Sequence, residues 1–367
     1  MKVHFDSMSN MPDLINIKRR KSKTAKIGTL QIGGCHPISV QSMTSCDIKD
    51  IKSTSEQIRQ LESSGCDLIR IAFPDIQSCG LIPVIKNKTR VPIMADVHFN
   101  YLIALEAIKY NIDGIRINPG NIKKESEIIQ VIEEAQKKNI MVRFGINAGS
   151  LDKSIMEKYK EPSYLALVEE AEQLIAFLKK IEYQNFVISI KSSNVIDTIK
   201  ANKIIAQNCD YPLHIGITEA GFDQSGVIKS AVGISILLYE GIGDTIRVSL
   251  TGDPVKEVLV GHDILRALEI KKMGINLITC PTCGRCQVDI YKIAKKLESI
   301  LSDIKYPFTV AIMGCIVNGP GEAKMADVGI AFNNKEAMLF KKGKLIGRYN
   351  KKEVIEVLDQ EIRSMSG

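Results

Sequence analysis

Eight short runs of Ile, Val and Leu recur along the chain from residue 38, and amphipathic segments separate them. The runs are ISVQSMT (from 38), DLIRIAFP (67), VPIMADVHF (91), GIRINPGN (114), MVRFGIN (141), FVISIKSSN (186), LHIGITEAG (213) and DTIRVSLTG (244). Each is apolar over four to six residues at its centre, as a strand buried on both faces must be. Between them, SEQIRQLESSGCD, NYLIALEAIKYNID and ESEIIQVIEEAQKKN repeat apolar residues at helical spacing, and PSYLALVEEAEQLIAFLKKIEY fills the widest gap. Strands alternating with helices imply right-handed parallel crossovers. Eight such units over roughly 220 residues match the size of an α/β (β/α)₈ TIM barrel. A doubly wound sheet is the runner-up, but no glycine-rich fingerprint follows the first strand.

The rhythm changes after TGDPVKEVLVGHDILRALEIKKMG. INLITC, a helical VDIYKIAKKLESILSDI, then FTVAIMGC, DVGIAF and KLIGRY form a small second α/β unit. The expected division is 1–272 for the barrel, with a short N-terminal extension, and 273–367 for the second domain, the boundary falling near Met273.

Active sites of such barrels sit at the carboxyl ends of the strands. Arg70, Arg116, Arg143, Lys191 and Arg247 each interrupt an apolar run there. Side chains alternate along a strand, so a cation flanked by two outward-facing Ile points to the barrel axis. Five cations gathered there would repel one another unless an anion lay among them. The carboxylates in reach are chiefly Asp96 and Glu219. A phosphorylated or diphosphorylated small molecule is therefore expected at the mouth, with Arg forks on its oxygens. Asn118, Asn147 and His98 stand at neighbouring strand ends as further substrate-binding candidates. Glu219 is either a counter-charge or a proton donor. His214, early in its run, is expected to be a core histidine.

Composition narrows this little. Of 367 residues 45% are hydrophobic and 25% charged, without Trp, so the core is aliphatic. The net charge of +7 is scattered except for KRRKSK (18–23), expected as solvated surface, and no nucleic-acid partner is expected. No apolar run reaches membrane-spanning length. The first residues lack an apolar core followed by a small-residue cleavage site. A cytoplasmic protein is expected.

Nine cysteines in a reducing compartment are buried hydrophobes or metal ligands rather than a disulfide framework. Cys66 and Cys209 read as the former, and Cys35, Cys46 and Cys79 are isolated. CPTCGRC instead sets Cys280, Cys283 and Cys286 three apart, and Cys315 follows in IMGCIVNGPGEA. The spacing resembles the start of a ferredoxin run, but residue 290 is Ile rather than a fourth Cys. A Cys₄ site could hold zinc or an iron–sulfur cluster. A tight Gly-Pro-Gly turn could return Glu322 to the same centre, where it competes with Cys286 for a fourth coordination position. Two rivals follow: a zinc-dependent barrel enzyme, and a basic RNA-binding protein with a structural zinc module.

RRKS, VQSMT, ADVHF, IRINPGN, GINAGSL, HIGITEAG, GIGDTIRVSL, CPTCGR and GCIVNGPGEA, in this order from about residue 15 to 330, resemble the bacterial 4-hydroxy-3-methylbut-2-enyl diphosphate synthase family. The last 35 residues match only loosely. The resemblance implies reduction of 2-C-methyl-D-erythritol 2,4-cyclodiphosphate, with ring opening and loss of water, in the non-mevalonate isoprenoid pathway. It implies one [4Fe–4S] cluster on Cys280, Cys283, Cys315 and Glu322, with Cys286 a bystander. It assigns Glu219 as proton donor and Glu322 as a catalytic residue as well as a ligand. It further implies flavodoxin or ferredoxin as electron donor. A barrel joined to a sulfite-reductase-like cluster domain, in a homodimer where one chain's cluster domain caps the other's barrel, completes the expectation. The chain is too short for the large insert of plant-type relatives.

Overall fold

A computed structural model describes residues 17–366 apart from 123, 273, 302, 303 and 305. The extension before residue 17, and with it most of the segment read for a leader, lies outside the described residues, as does the expected boundary residue Met273. The chain forms two compact units, Met1–Leu268 and Glu269–Gly367.

The first unit opens with a hairpin, β1 (Thr24–Ile27) and β2 (Leu30–Gly33), which the periodicity did not single out. Eight parallel strands follow: β3 (Ser39–Met43), β4 (Leu68–Ala72), β5 (Ile93–Asp96), β6 (Gly114–Ile117), β7 (Met141–Asn147), β8 (Phe186–Lys191), β9 (His214–Ile215) and β10 (Thr245–Ile246). Their order is β8-β7-β6-β5-β4-β3-β10-β9. A parallel bridge from Ile188 to Leu213 joins the two ends, so the expected eight-stranded barrel is borne out. β9 and β10 are shorter than their apolar runs. They stop short mainly at their carboxyl ends, while at the amino end the Asp244 carboxylate accepts the Leu213 N–H at 2.9 Å.

Helix starts follow the sequence locally. Asn100, Asn194 and Asp253 accept backbone N–H groups at the heads of Tyr101–Lys109, Val195–Asn208 and Pro254–Ala267, satisfying donors that no helical carbonyl can reach. Each of these caps stands after a strand and holds the following loop at the carboxyl rim.

The hairpin plugs the amino end. Ala25, Ile27 and Ile32 pack on Leu68, Met94, Met141 and Val187, all fully buried. These four strand residues share a face with Arg70, Asp96, Arg143 and Lys191 further along the same strands. Gly114 leaves the space that the Ile27 side chain fills. The interior therefore has an apolar floor under a charged layer.

The basic run at 18–23 is not simply solvated. Arg19 and Arg20 pair with Asp244 at 3.0 and 3.3 Å, and Ser22 donates to it at 2.8 Å. Arg20 also donates to the Cys209 carbonyl at 2.9 Å and to that of Tyr211. Asp244 is buried, and a buried carboxylate must be matched by charge. Two of the run's cations are thereby drawn inward, while Lys18 and Lys21 stay exposed.

The second unit is a five-stranded sheet in the order β11 (Ile275–Thr279), β12 (Phe308–Met313), β13 (Val328–Phe332), β14 (Ala337–Lys341) and β15 (Lys344–Tyr349). The first three run parallel and the last two are antiparallel. Helices Ile290–Ile300 and Val354–Ser366 cover one face through Leu297, Leu358 and Ile362 on Val310, Ile312 and Ile330. Gly319–Met325 covers the other through Ala323 on Ala311, Ala331 and Phe340. Sequence periodicity did not single out β14. The expected tight Gly-Pro-Gly turn is instead the first turn of a helix. Proline is tolerated there because its missing N–H would have had no helical partner.

Asp244→Ala is expected to lower unfolding stability by about 3 kcal/mol, since it strands two guanidinium groups and the Leu213 N–H. Urea denaturation followed by circular dichroism reads this, and an unchanged midpoint would mean that the run is held by something else.

Candidate active site

Strand register sets the charged layer. Asp96 pairs with Arg116, and Arg116 with Arg143, across β5, β6 and β7. Paired residues of neighbouring parallel strands project to the same face, so this row enters the interior together. Gly145, opposite Ser189 in β8, keeps room for it: a methyl group there would come within 2.9 Å of Nε and Nη2 of Arg116. Gly216 does the same beside Lys191, whose Nζ would lie 2.9 Å from an added Cβ.

Two carboxylates serve this layer. Asp96 meets Arg70 Nε at 3.6 Å, Arg116 Nη1 at 3.3 Å and His98 Nε2 at 3.3 Å. Burial opposes its ionisation, but Arg70, the His98 hydrogen bond and Arg116 outweigh burial and hold its carboxyl well below the usual carboxylate range. Arg70 also donates to Met43 Sδ at 3.0 and 3.1 Å, and burial pulls it down to about 10 despite Asp96.

The second carboxylate is Glu257, which the sequence reading missed. It takes Arg247 through both oxygens, at 3.1 and 3.2 Å, and also accepts from Ser42 Oγ at 2.7 Å and Leu250 N at 3.0 Å. The signal was available. Glu257 lies on the buried stripe of Pro254–Ala267, between Pro254, Val258, Gly261 and Leu265, and a carboxylate on an apolar stripe needs a charged partner.

Arg143 and Lys191 have no carboxylate partner among the described residues. Arg143 is 2% exposed; its Nη1 reaches Gln41 Oε1 at 2.7 Å and its Nε has no partner. Gln41 is in turn fixed by Thr245 Oγ1 at 2.7 Å. Lys191 is buried, its Nζ 3.0 Å from His214 Nε2. Burial pushes the Lys191 ammonium well below its ordinary range, and Arg143, Arg247, Arg70 and Arg116 push it further. His214, fully buried with Nδ1 unpartnered, is held neutral by burial and by Lys191. It is a core histidine, as expected, yet it faces the charged layer. Arginine keeps its proton in proteins, so the demand at Arg143 is for an anion.

The other expected residues separate. His98 sits half-exposed at the rim between Asp96 and Arg116, with Nε2 3.2 Å from Arg116 Nη1. Asn147 ends β7 on the face of Arg143 and Gly145. Asn118 is buried and already engaged, donating to Ser150 Oγ at 2.6 Å and accepting from Gly120 N at 3.0 Å. It ties two rim loops together. Glu219 lies exposed in a turn beyond β9 with φ +50°, a left-handed conformation costing about 1–2 kcal/mol for a residue with a Cβ. It does not join the cation cluster.

In the second unit, Cys280 and Cys283 follow β11, Cys315 follows β12, and Glu322 occupies the first turn of Gly319–Met325. These segments leave the carboxyl ends of two adjacent parallel strands. Gly314 N donates to Cys280 Sγ at 3.2 Å. The Val317 N–H holds the Cys315 thiol below its ordinary value against some burial, helped by the Asn318 N–H and Arg285. Cys283 is exposed beside Thr282 at φ +48°. Cys286 is half-buried against the sheet core and donates to the Val288 carbonyl at 3.1 Å. Backbone donors to sulfur are what a thiolate-bound centre requires, and three thiols with one carboxylate suit iron better than a purely hard or purely soft ion. The donor set fits the expected group, although among the described residues no three of these ligand types stand close enough to hold a metal ion as they are.

The GcpE TIM-barrel domain model matches residues 22–262, and the GcpE protein C-terminal domain model matches 276–364. The chain is 51% identical over 350 residues to a protein of Caldanaerobacter subterraneus subsp. tengcongensis, covering 95% of this chain and 99% of the relative. It is 50% identical over 344 residues to one of Caldicellulosiruptor saccharolyticus, covering 94% and 99%. A protein of Thermodesulfovibrio yellowstonii is 47% identical over 347 residues, covering 95% and 99%. All three are named 4-hydroxy-3-methylbut-2-en-1-yl diphosphate synthase (flavodoxin).

An anion bound beside Lys191 raises that amine's proton affinity. Ligand binding should therefore take up protons between the ligand-free and ligand-bound values, and affinity should fall as pH rises through that window. Calorimetry of a small diphosphate in buffers of different ionisation enthalpy measures the proton number. A value of zero would mean that Lys191 is charged before the ligand arrives.

Proposed function

Since the chain belongs to the GcpE family, we infer that it carries that family's activity as an oxidoreductase, converting 2-C-methyl-D-erythritol 2,4-cyclodiphosphate into 4-hydroxy-3-methylbut-2-en-1-yl diphosphate for isoprenoid synthesis. The overall change consumes two electrons and two protons, opens the ring and releases one hydroxyl as water. The observation that carries the substrate class is the pair of buried basic side chains, the Arg143 cation and the Lys191 amine, left without carboxylates in a layer where Asp96 and Glu257 already serve Arg70, Arg116 and Arg247. A cyclic diphosphate supplies the missing charge. It leaves the apolar floor dry and presents the sugar carbons toward the rim.

Within this reading, Arg143 and Lys191 grip the diphosphate, with Gln41 and His214 keeping their side chains in place. Arg70, Arg116 and Arg247, fixed by Asp96 and Glu257, add fixed positive potential. His98 and Asn147 orient the ligand at the rim, and Asn118 acts through the loops it joins. Glu219, in its exposed turn, delivers a proton to the leaving hydroxyl. Cys280, Cys283, Cys315 and Glu322 would hold a [4Fe–4S] cluster. When bound, that cluster supplies single electrons and a Lewis-acidic iron. The electrons come from a flavodoxin, the carrier in the relatives' names, or from a ferredoxin. The working form is a homodimer in the cytoplasm, and no helix among the described residues is long and apolar enough to cross a membrane.

Two measurements test this. Anaerobically purified Cys286→Ala should keep about four irons with matching sulfide per chain, whereas Cys315→Ser should lose them; zinc in their place would end the redox reading. Arg143→Met should lower kcat/KM for the cyclodiphosphate by about 10²–10³-fold, the result of removing one partner of a buried charged contact. An unchanged kcat/KM would move the phosphate site elsewhere.

A further inference from the structure

Gly314 brings two cysteines of unequal expected roles together. A Cβ at this position would overlap Cys286 Sγ and lie 3.3 Å from Cys280 Sγ. The two thiols therefore face the same gap, about one carbon atom wide. Backbone bonds fix both sides of it: Cys280 N to the Ile312 carbonyl at 3.2 Å, and Gln287 N to the Gly314 carbonyl at 2.8 Å. The loop between them is closed by Cys286 N donating to the Cys283 carbonyl at 2.9 Å. Cys283 itself is exposed, whereas Cys280 and Cys286 both pack against the sheet core.

We propose that Cys286 is a resolving cysteine for Cys280, forming a Cys280–Cys286 disulfide under peroxide whenever Cys280 is not bound to metal. The disulfide follows from the shared gap alone; its role as a reversible cap on a cluster ligand rests on the reading of Cys280 given above. Hydrogen peroxide oxidises the Cys280 thiol to a sulfenic acid, its other oxygen leaving as water. The Cys286 sulfur then attacks that sulfur, the S–S bond forms as the S–O bond breaks, and the departing hydroxide takes the Cys286 proton as a second water. Two electrons pass from the two sulfurs to one peroxide. A thiol reductant returns both thiols by exchange. Without Cys286, the same oxidant would carry Cys280 on to the sulfinic acid, which thiols do not reverse.

Trypsin cuts after Arg285, which separates Cys280 and Cys283 from Cys286 and makes the link readable. Full-length protein, purified anaerobically, is treated with limiting peroxide, blocked with an alkylating agent and digested without reductant; iron is measured on the same samples. The expected product joins the two peptides, two hydrogens lighter than their sum, with fragmentation assigning the bond to Cys280, and it grows as iron is lost. After thiol treatment the wild-type chain takes iron up again. In Cys286→Ser, Cys280 instead gains two oxygens and iron uptake is lost. A dominant Cys283–Cys286 link, or Cys280 oxidised beyond sulfenic acid while Cys286 remains free in the wild-type chain, overturns the proposal. If no iron is present at the start, the cluster reading fails while the disulfide map still decides the pairing.

Discussion

Two like charges about 7 Å apart repel by about 2 kcal/mol at an effective dielectric near 20, and burial adds a desolvation cost for each. The barrel of this chain gathers Arg70, Arg116, Arg143, Lys191 and Arg247 around one layer and answers them with Asp96 and Glu257. The pairing is uneven in a specific way. Asp96 bridges two guanidinium groups and Glu257 grips a third, so the unanswered charge falls on Arg143, with Lys191 beside it as an amine that gains its proton when an anion arrives; their partners are an amide and an imidazole. A protein that needed these cations only for stability would be better served by apolar residues of the same volume. The imbalance is a demand for an anion, and it says more about the ligand than the net charge does.

The rest of the barrel makes that imbalance tolerable. The hairpin β1–β2 seals the amino end with Ile27 and Ile32, keeping water from entering beneath the charged layer. Gly145 and Gly216 give up side chains so that Arg116 and Lys191 have room in low-energy conformations. Asp244 spends its charge on Arg19 and Arg20 at the strand starts, away from the mouth. Floor, space and counter-charge thus divide along each strand. The amino halves serve stability and the carboxyl ends serve binding, the usual partition in parallel barrels.

Much of this was legible in the residues, and the gaps have physical causes. All eight strands could be read because a strand buried on both faces must be continuously apolar, and the five cations stood out against that background. Glu257 was not seen because it sits on a helix, where one charged residue in an amphipathic pattern looks ordinary until the buried stripe is traced. The hairpin escaped because TAKI and LQIG are short and broken by polar residues, leaving no continuous apolar run to stand out. β14, AMLFK, escaped because lysine-bearing stretches on both sides mask its short apolar centre, though the NN and KG pairs that flank it are turn signals. Gly-Pro-Gly was misread as a tight turn because the same residues that make turns also begin helices. The inward swing of Arg19 and Arg20 was invisible, since their partner lies more than two hundred positions away.

Both units use one topological device. Parallel strands end together, so loops that follow neighbouring strands are neighbours even when distant in sequence. In the barrel this collects cations from five strands. In the second unit it brings the loop after β11, with Cys280 and Cys283, beside the loop after β12, with Cys315. The difference is in what fixes the side chains. The barrel cations project from strands and are locked by buried partners, so their geometry exists before any ligand arrives. The cysteines and Glu322 project from loops and a short helix, where backbone N–H groups aim at sulfur but do not determine where each thiol goes. A preformed cation cluster and, on the proposed reading, a ligand set that a metal would have to draw together are therefore the two outcomes expected from the same rule. The second leaves its thiols free to meet one another when no metal claims them.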